Sequence, residues 1–178
     1  MAHLLTGARL LVVIPAAFAF AGWAPWGGVL PTLFVALAIA TDYWDGVVAR
    51  ARGTASAGGR LFDHTTDFLF VTAGLVGAAA AGAVTPVLPV LIVVAFAQYV
   101  FDSYVLHREK QLRMSRLGRW NGILYFAPLV VIALARLPMP LPPVAPRALQ
   151  SLAAAGSWVL VLSTVASIAD RTLAVRSS

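Results

Sequence analysis

The chain has 178 residues, of which 60% are hydrophobic and 11% charged, and its 13 Lys and Arg against 7 Asp and Glu leave a net charge of +6. A water-facing surface needs about 25% charged residues, so this composition excludes an ordinary soluble globule, a disordered chain and a nucleic-acid binder built on basic patches, and marks an integral membrane protein. The chain has no Cys, which excludes disulfide frameworks, thiol redox chemistry and Cys-ligated zinc.

No charged residue lies between Arg9 and Asp42, a run of 32 residues. One helix of that length would measure about 48 Å, well beyond the roughly 30 Å hydrocarbon core of a bilayer, so the run folds back. Pro25, Gly27 and Gly28, flanked by Trp23 and Trp26, supply the break, because Pro and Gly stop helices and Trp prefers the interface. The second charge-free run, Phe68 to Phe101, has 34 residues and breaks at Ala81 to Pro86. Two more apolar runs, Trp120 to Ala135 and Ala148 to Ala169, are separated by a stretch containing Pro138, Pro140, Pro142 and Pro143. The pattern predicts an all-α integral membrane protein with six transmembrane helices, near 8–24, 28–52, 60–82, 86–106, 120–136 and 148–170, and a short N-terminal interfacial segment. A signal peptide ending near Ala19-Phe20-Ala21 is the alternative for the first run, but its removal would upset the charge pattern that follows.

With six helices and the N-terminus on one side, that side receives Arg9, Arg50, Arg52, Arg60, Arg108, Lys110, Arg113, Arg116, Arg119, Arg171 and Arg176, and the other receives only Arg136 and Arg147. The positive-inside rule then makes the first side, with both termini, cytoplasmic.

Four of the seven acidic residues fall within 26 positions: Asp42, Asp45, Asp63 and Asp67. Each carboxylate inside a membrane span costs roughly 2.5–3.5 kcal/mol on insertion scales, and together they repel one another, so a compensating cation is expected. Asp42 and Asp45 are spaced to share a face of the second helix, and Asp63 and Asp67 a face of the third. Asp42 lies eight residues before Arg50 and Asp67 seven after Arg60, which puts both pairs about 10–12 Å below the cytoplasmic interface. All-oxygen ligation suits a hard cation, Mg²⁺, Mn²⁺ or Ca²⁺. Gly46, Ala49 and Gly59 leave the cavity wall without bulk, and Arg50 at its mouth can neutralise a phosphate.

Written out, the run is Asp42-x2-Asp45-Gly46-x2-Ala49-Arg50-x8-Gly59-x3-Asp63-x3-Asp67. It resembles the motif of the CDP-alcohol phosphotransferases at every fixed position, and the chain is similar to that family in its six helices and in the segment Leu5-Thr6-x2-Arg9. The resemblance implies a single catalytic membrane domain over residues 1–178, with the motif on helices two and three. It implies transfer of a phosphatidyl-type group from a CDP-linked lipid, such as CDP-diacylglycerol, to an acceptor alcohol with release of CMP, in phospholipid biosynthesis at a bacterial inner membrane. It further implies two divalent ions, Mg²⁺ or Mn²⁺, on Asp42, Asp45, Asp63 and Asp67. Asp42, Asp45, Gly46, Ala49, Arg50 and Gly59 would hold the nucleotide, and Asp67 would serve as the general base.

The acceptor is left open. Arg9, Arg108, Arg113, Arg116 and Arg119 are candidates for an acceptor phosphate such as that of glycerol-3-phosphate or inositol phosphate, although the basic loop equally serves topology and anionic lipid. His64 and Phe68 stand where similar bacterial phosphatidylglycerophosphate synthases carry Pro and Lys, and Asn121 and Gly122 where they carry a basic residue and Thr. His64 is read as a capping or interfacial residue in preference to a metal ligand, and Asp102 as the partner of a nearby Arg. The small residues around Gly74 and Gly77 suit close helix packing, within the chain or in a homodimer. A divalent-cation transporter or channel lined by the four Asp is the competing function. No repeat is visible, and Arg50 would repel cations at the mouth.

Overall fold

The computed structural model describes residues 2–24, 26–51, 57–102, 116–139, 142 and 144–176; within these, only the helical backbone is described at residues 2–6, 45, 46, 48–51, 57, 58, 60 and 174–176, which include Asp45, Gly46, Ala49 and Arg50. The described residues are all-helical: α1 (Ala2–Leu11), α2 (Val13–Phe20), α3 (Val29–Ala51), α4 (Ala57–Ala80), α5 (Val87–Phe101), α6 (Arg116–Leu124), α7 (Phe126–Arg136) and α8 (Val144–Arg176). These elements fall where the six helices were predicted, with the first and fifth each interrupted once. Both interruptions have the same cause. Proline has no N–H to offer the carbonyl four residues back and clashes with it. Pro15 therefore ends α1 at Leu11, and Pro128 ends α6 at Leu124.

Some helices extend beyond the apolar runs. α8 has 33 residues, about 50 Å of helix, and begins at Val144 because Pro146 sits in its first turn, where no intrahelical N–H is required. α6 begins at Arg116, inside the basic stretch. Gaps between charges measure apolar depth, whereas a helix continues freely into the polar interface.

Two of the turns are glycine-dependent. α2 and α4 both end in a Schellman motif, with Gly22 (φ 78°) and Gly82 (φ 72°) in the left-handed region. Trp23 N–H donates to Phe18 O, Gly22 N–H to Ala19 O, Ala83 N–H to Ala78 O and Gly82 N–H to Ala79 O, which satisfies carbonyls that a helix end leaves unpaired. The Phe18 and Trp23 rings, 5.7 Å apart, supply the hydrophobic contact that accompanies the first motif. At the same end of the bundle, Arg136 Nη1 donates to Phe20 O at 2.7 Å, and α7 closes at Leu137, held extended (ψ 139°) by the following Pro138.

The core sits where α2, α4, α5 and α7 meet, around the fully buried Phe20, Phe70, Leu75, Leu88 and Leu129. The small residues of α4 pack inside the chain. A Cβ on Gly77 would lie 2.1 Å from Ala17 O, a backbone atom of α2, and one on Gly74 would lie 3.0 Å from a Leu129 methyl group of α7. Gly77→Ala is expected to lower stability by about 3 kcal/mol, because a backbone atom cannot yield as a side chain can. A thermal melt in detergent checks this, and a wild-type midpoint would show that α2 and α4 do not approach so closely.

The outward surface is apolar. Val90 on α5, Ile123 on α6 and Val159 and Leu162 on α8 are each more than 60% exposed, a distribution suited to lipid and not to water. The stretches Arg116–Arg136 and Val144–Leu173 are long and apolar enough to cross a membrane.

Candidate active site

The acidic motif is divided between α3 and α4, yet among the described residues these helices touch little, and α1 packs on both. Arg9, two residues before the end of α1, is thereby brought between them with its side chain wholly buried. Its Nε donates to Thr41 Oγ1 at 3.2 Å, while the Thr41 hydroxyl donates to Leu37 O at 2.8 Å. Its Nη1 donates to Asp67 Oδ1 and to Asp63 Oδ1 at 3.4 Å, and Asp42 Oδ1 lies 3.9 Å away. Three carboxylates from two helices thus converge on one guanidinium nitrogen. A fully buried Arg is tolerated only when paired in this way.

This arrangement predicts a metal-linked stability change. Arg9→Met leaves the carboxylates facing one another without their cation, and removing one partner of a buried pair costs about 3 kcal/mol or more. The variant is expected to melt well below the wild type in chelator and to recover more than the wild type on adding Mn²⁺. Equal melting in chelator would show that Arg9 does not hold the cluster.

A cavity of about 740 Å³ opens beside this cluster, with Asp42, His64 and Asp67 in its wall. Phe68 and Phe96, stacked 4.0 Å apart and nearly parallel, join α4 to α5 there, and Val71, Ile92 and Ile123 extend the apolar lining. Polar groups from other helices join them, among them Arg119 of α6, Gln98 of α5 and Arg171 of α8. Arg171 pairs with Asp102 at 3.7 Å and lies over the Tyr99 ring, 5.0 Å from its centroid, so Asp102 has the Arg partner that its position suggested. Gln98 Nε2 donates to Ile168 O at 3.3 Å and Thr172 Oγ1 at 3.1 Å, while its buried Oε1 has no hydrogen-bond partner among the described residues.

The structure brings together Asp42, Asp63 and Asp67, as the spacing predicts, and adds Arg9 to them. Gly59 lies in the first turn of α4, on the same helix as Asp63 and Asp67. Asp45, Gly46, Ala49 and Arg50 follow Asp42 along α3. Of the acceptor-phosphate candidates, Arg119 lines the cavity, Arg116 is exposed at the start of α6 and Arg108 and Arg113 lie outside the described residues. His64 is no helix cap. It lies in the interior of α4, seven residues past its start, and one ligand atom from each of Asp63, His64 and Asp67 falls within 4.8 Å of the others. Two carboxylates, both bonded to the Arg9 guanidinium, and an imidazole so placed form a donor set suited to a divalent metal ion. Thr41, Gln98 and Arg171 were not singled out from the sequence. For Arg171 a signal existed: Asp102 and Arg171 each follow an apolar run toward the same predicted face of the membrane, at matching depth and with opposite charge.

An all-helical membrane protein with an acidic, metal-suited pocket beside basic and apolar walls defines the class. The family model for CDP-alcohol phosphatidyltransferase matches residues 1–169, and the chain belongs to that family. Its activity is therefore that of a phosphotransferase acting on a CDP-alcohol. No curated protein and no solved structure matches the chain.

Proposed function

We propose that the protein transfers the phosphatidyl group of a CDP-linked lipid, CDP-diacylglycerol, to the hydroxyl of a phosphorylated polyol, releasing CMP. The observation that carries this reading is that one cavity is lined by the motif carboxylates Asp42 of α3 and Asp67 of α4 together with Arg119 of α6 and Arg171 of α8. The apolar wall around Val71, Ile92 and Ile123 suits a lipid, and the two guanidinium groups suit an acceptor phosphate. Glycerol-3-phosphate and inositol phosphate both have this chemistry.

In this reading Asp42, Asp45, Asp63 and Asp67 would hold one or two divalent ions, Mg²⁺ or Mn²⁺, which when bound neutralise the diphosphate and the charge developing on departing CMP. Gly46, Ala49, Arg50 and Gly59 hold the cytidine diphosphate. Asp67 takes the proton of the acceptor hydroxyl as its oxygen bonds to the phosphorus of the lipid phosphate and the bond from that phosphorus to the CMP oxygen breaks. Arg9 fixes the Asp67 carboxylate in place for that transfer. Gln98 Oε1 accepts a hydrogen bond from another acceptor hydroxyl.

Labelled CMP release from CDP-diacylglycerol, measured across a panel of acceptor alcohols, tests the proposal. Release that requires a phosphorylated polyol supports it, and no release with any acceptor, or release with unphosphorylated alcohols alone, overturns it. The chain is proposed to cross a bacterial inner membrane six times as a single domain, with its active site and both termini in the cytoplasm. In a chain without native Cys, a Cys at Ser56 is then expected to be shielded from an impermeant thiol reagent in intact cells and one at Pro142 labelled. The opposite pattern would invert the topology.

A further inference from the structure

Asp42, Asp45, Asp63 and Asp67 account for an oxygen-only metal site, but the cavity contains a different kind of donor among them. His64 directly follows Asp63 and precedes Asp67 by three positions. In a helix of 3.6 residues per turn, that spacing places His64 and Asp67 on neighbouring surface positions, as the four-residue spacing does for Asp63 and Asp67. The side chains follow this pattern: a ligand atom of each lies within 4.8 Å of the other two. His64 and Asp67 both face the cavity, and so does Asp42 from α3. Independently of this spacing, a cation already sits against the carboxylates, since the Arg9 guanidinium bonds both Asp63 and Asp67. The site is therefore built to take positive charge.

A neutral imidazole has a particular value there. A fifth carboxylate would add to the repulsion among the acidic groups, whereas imidazole adds a ligand without adding charge. It also changes which metals the site favours. Mg²⁺ and Ca²⁺ prefer oxygen alone, whereas a nitrogen donor raises affinity along the first-row transition series.

We propose that a ring nitrogen of His64 is a direct ligand of a divalent cation shared with Asp63 and Asp67, and that it turns the site's preference from Mg²⁺ toward Mn²⁺ and the later first-row ions. This rests on the metal-dependent reading of the same site. The test is pulsed electron paramagnetic resonance of the full chain in nanodiscs, loaded with Mn²⁺ and without nucleotide. The spectrum of the wild type is expected to show modulation from a directly bound nitrogen nucleus. His64→Ala and His64→Gln are expected to lose it while retaining bound Mn²⁺ through the carboxylates. In Mg²⁺ competition, the preference for Mn²⁺ is expected to fall at least about tenfold in both variants, no less than losing an outer-shell partner costs. Bound Mn²⁺ without nitrogen modulation, or modulation that survives both substitutions, overturns the proposal and leaves metal-dependent phosphotransfer standing. Failure of the wild type to bind Mn²⁺ at all overturns both.

Discussion

Asp67→Asn is expected to lower kcat by about 10²–10⁴-fold, the range that general-base catalysis contributes, with donor affinity near that of the wild type. Asn keeps the size of the side chain and removes its ability to take a proton. Arg9 retains Asp63 at 3.4 Å and Asp42 at 3.9 Å, so the substitution leaves a charged partner for the buried guanidinium. In the proposed reading Asp42 and Asp45, on α3, still hold the donor. Steady-state kinetics with a separate measurement of CDP-lipid binding checks this. If Asp67→Asn loses donor binding as completely as Asp42→Asn, then Asp67 acts mainly as a ligand, and Asp63 becomes the next candidate base.

Chelation is expected to have an effect at least as large. Removing divalent ions lowers turnover by about 10³-fold or more, since a metal contributes several kcal/mol of transition-state stabilisation and each 1.4 kcal/mol is tenfold. Adding back Mg²⁺ or Mn²⁺ restores it. Asp42→Asn is expected to be inactive even with metal present, yet folded, because in the metal-free protein Arg9 still pairs with Asp63 and Asp67. Full turnover in excess chelator would mean that Arg9 and the other basic groups alone neutralise the diphosphate.

Much of this was readable along the chain. The six helical stretches follow from the two long charge-free runs and the Pro- and Gly-rich breaks, because apolar length and helix-breaking residues are local properties. The interruptions at Val12 and Tyr125 were legible in principle from Pro15 and Pro128, each four residues beyond the last residue of the preceding helix. The acidic motif was legible because helical spacing alone places Asp63 beside Asp67 and Asp42 beside Asp45. Family membership followed from the same fixed spacings and is matched over residues 1–169.

Other features depended on which helices pack together. Spacing placed the two carboxylate pairs at similar depth on two helices, but it does not show what packs between them. In the fold α1 packs on both, so Arg9, 33 positions from Asp42 and 58 from Asp67, becomes the cation that joins them. The same holds for Gln98 and Arg171, brought to the cavity wall by the packing of α5 on α8, and for Gly77, whose lack of a side chain matters only because Ala17 O lies against it. His64 lies between these cases. Its position on the acidic face was fixed by helical period, but its approach to the carboxylates depends on side-chain directions that no spacing encodes. By itself the sequence determined the membrane class, the helices and the acidic motif, since hydrophobicity, helix breaking and helical period act over a few neighbouring residues. Only the tertiary structure decided what compensates that motif and what shares its cavity, because those partners meet through packing between helices distant in the chain.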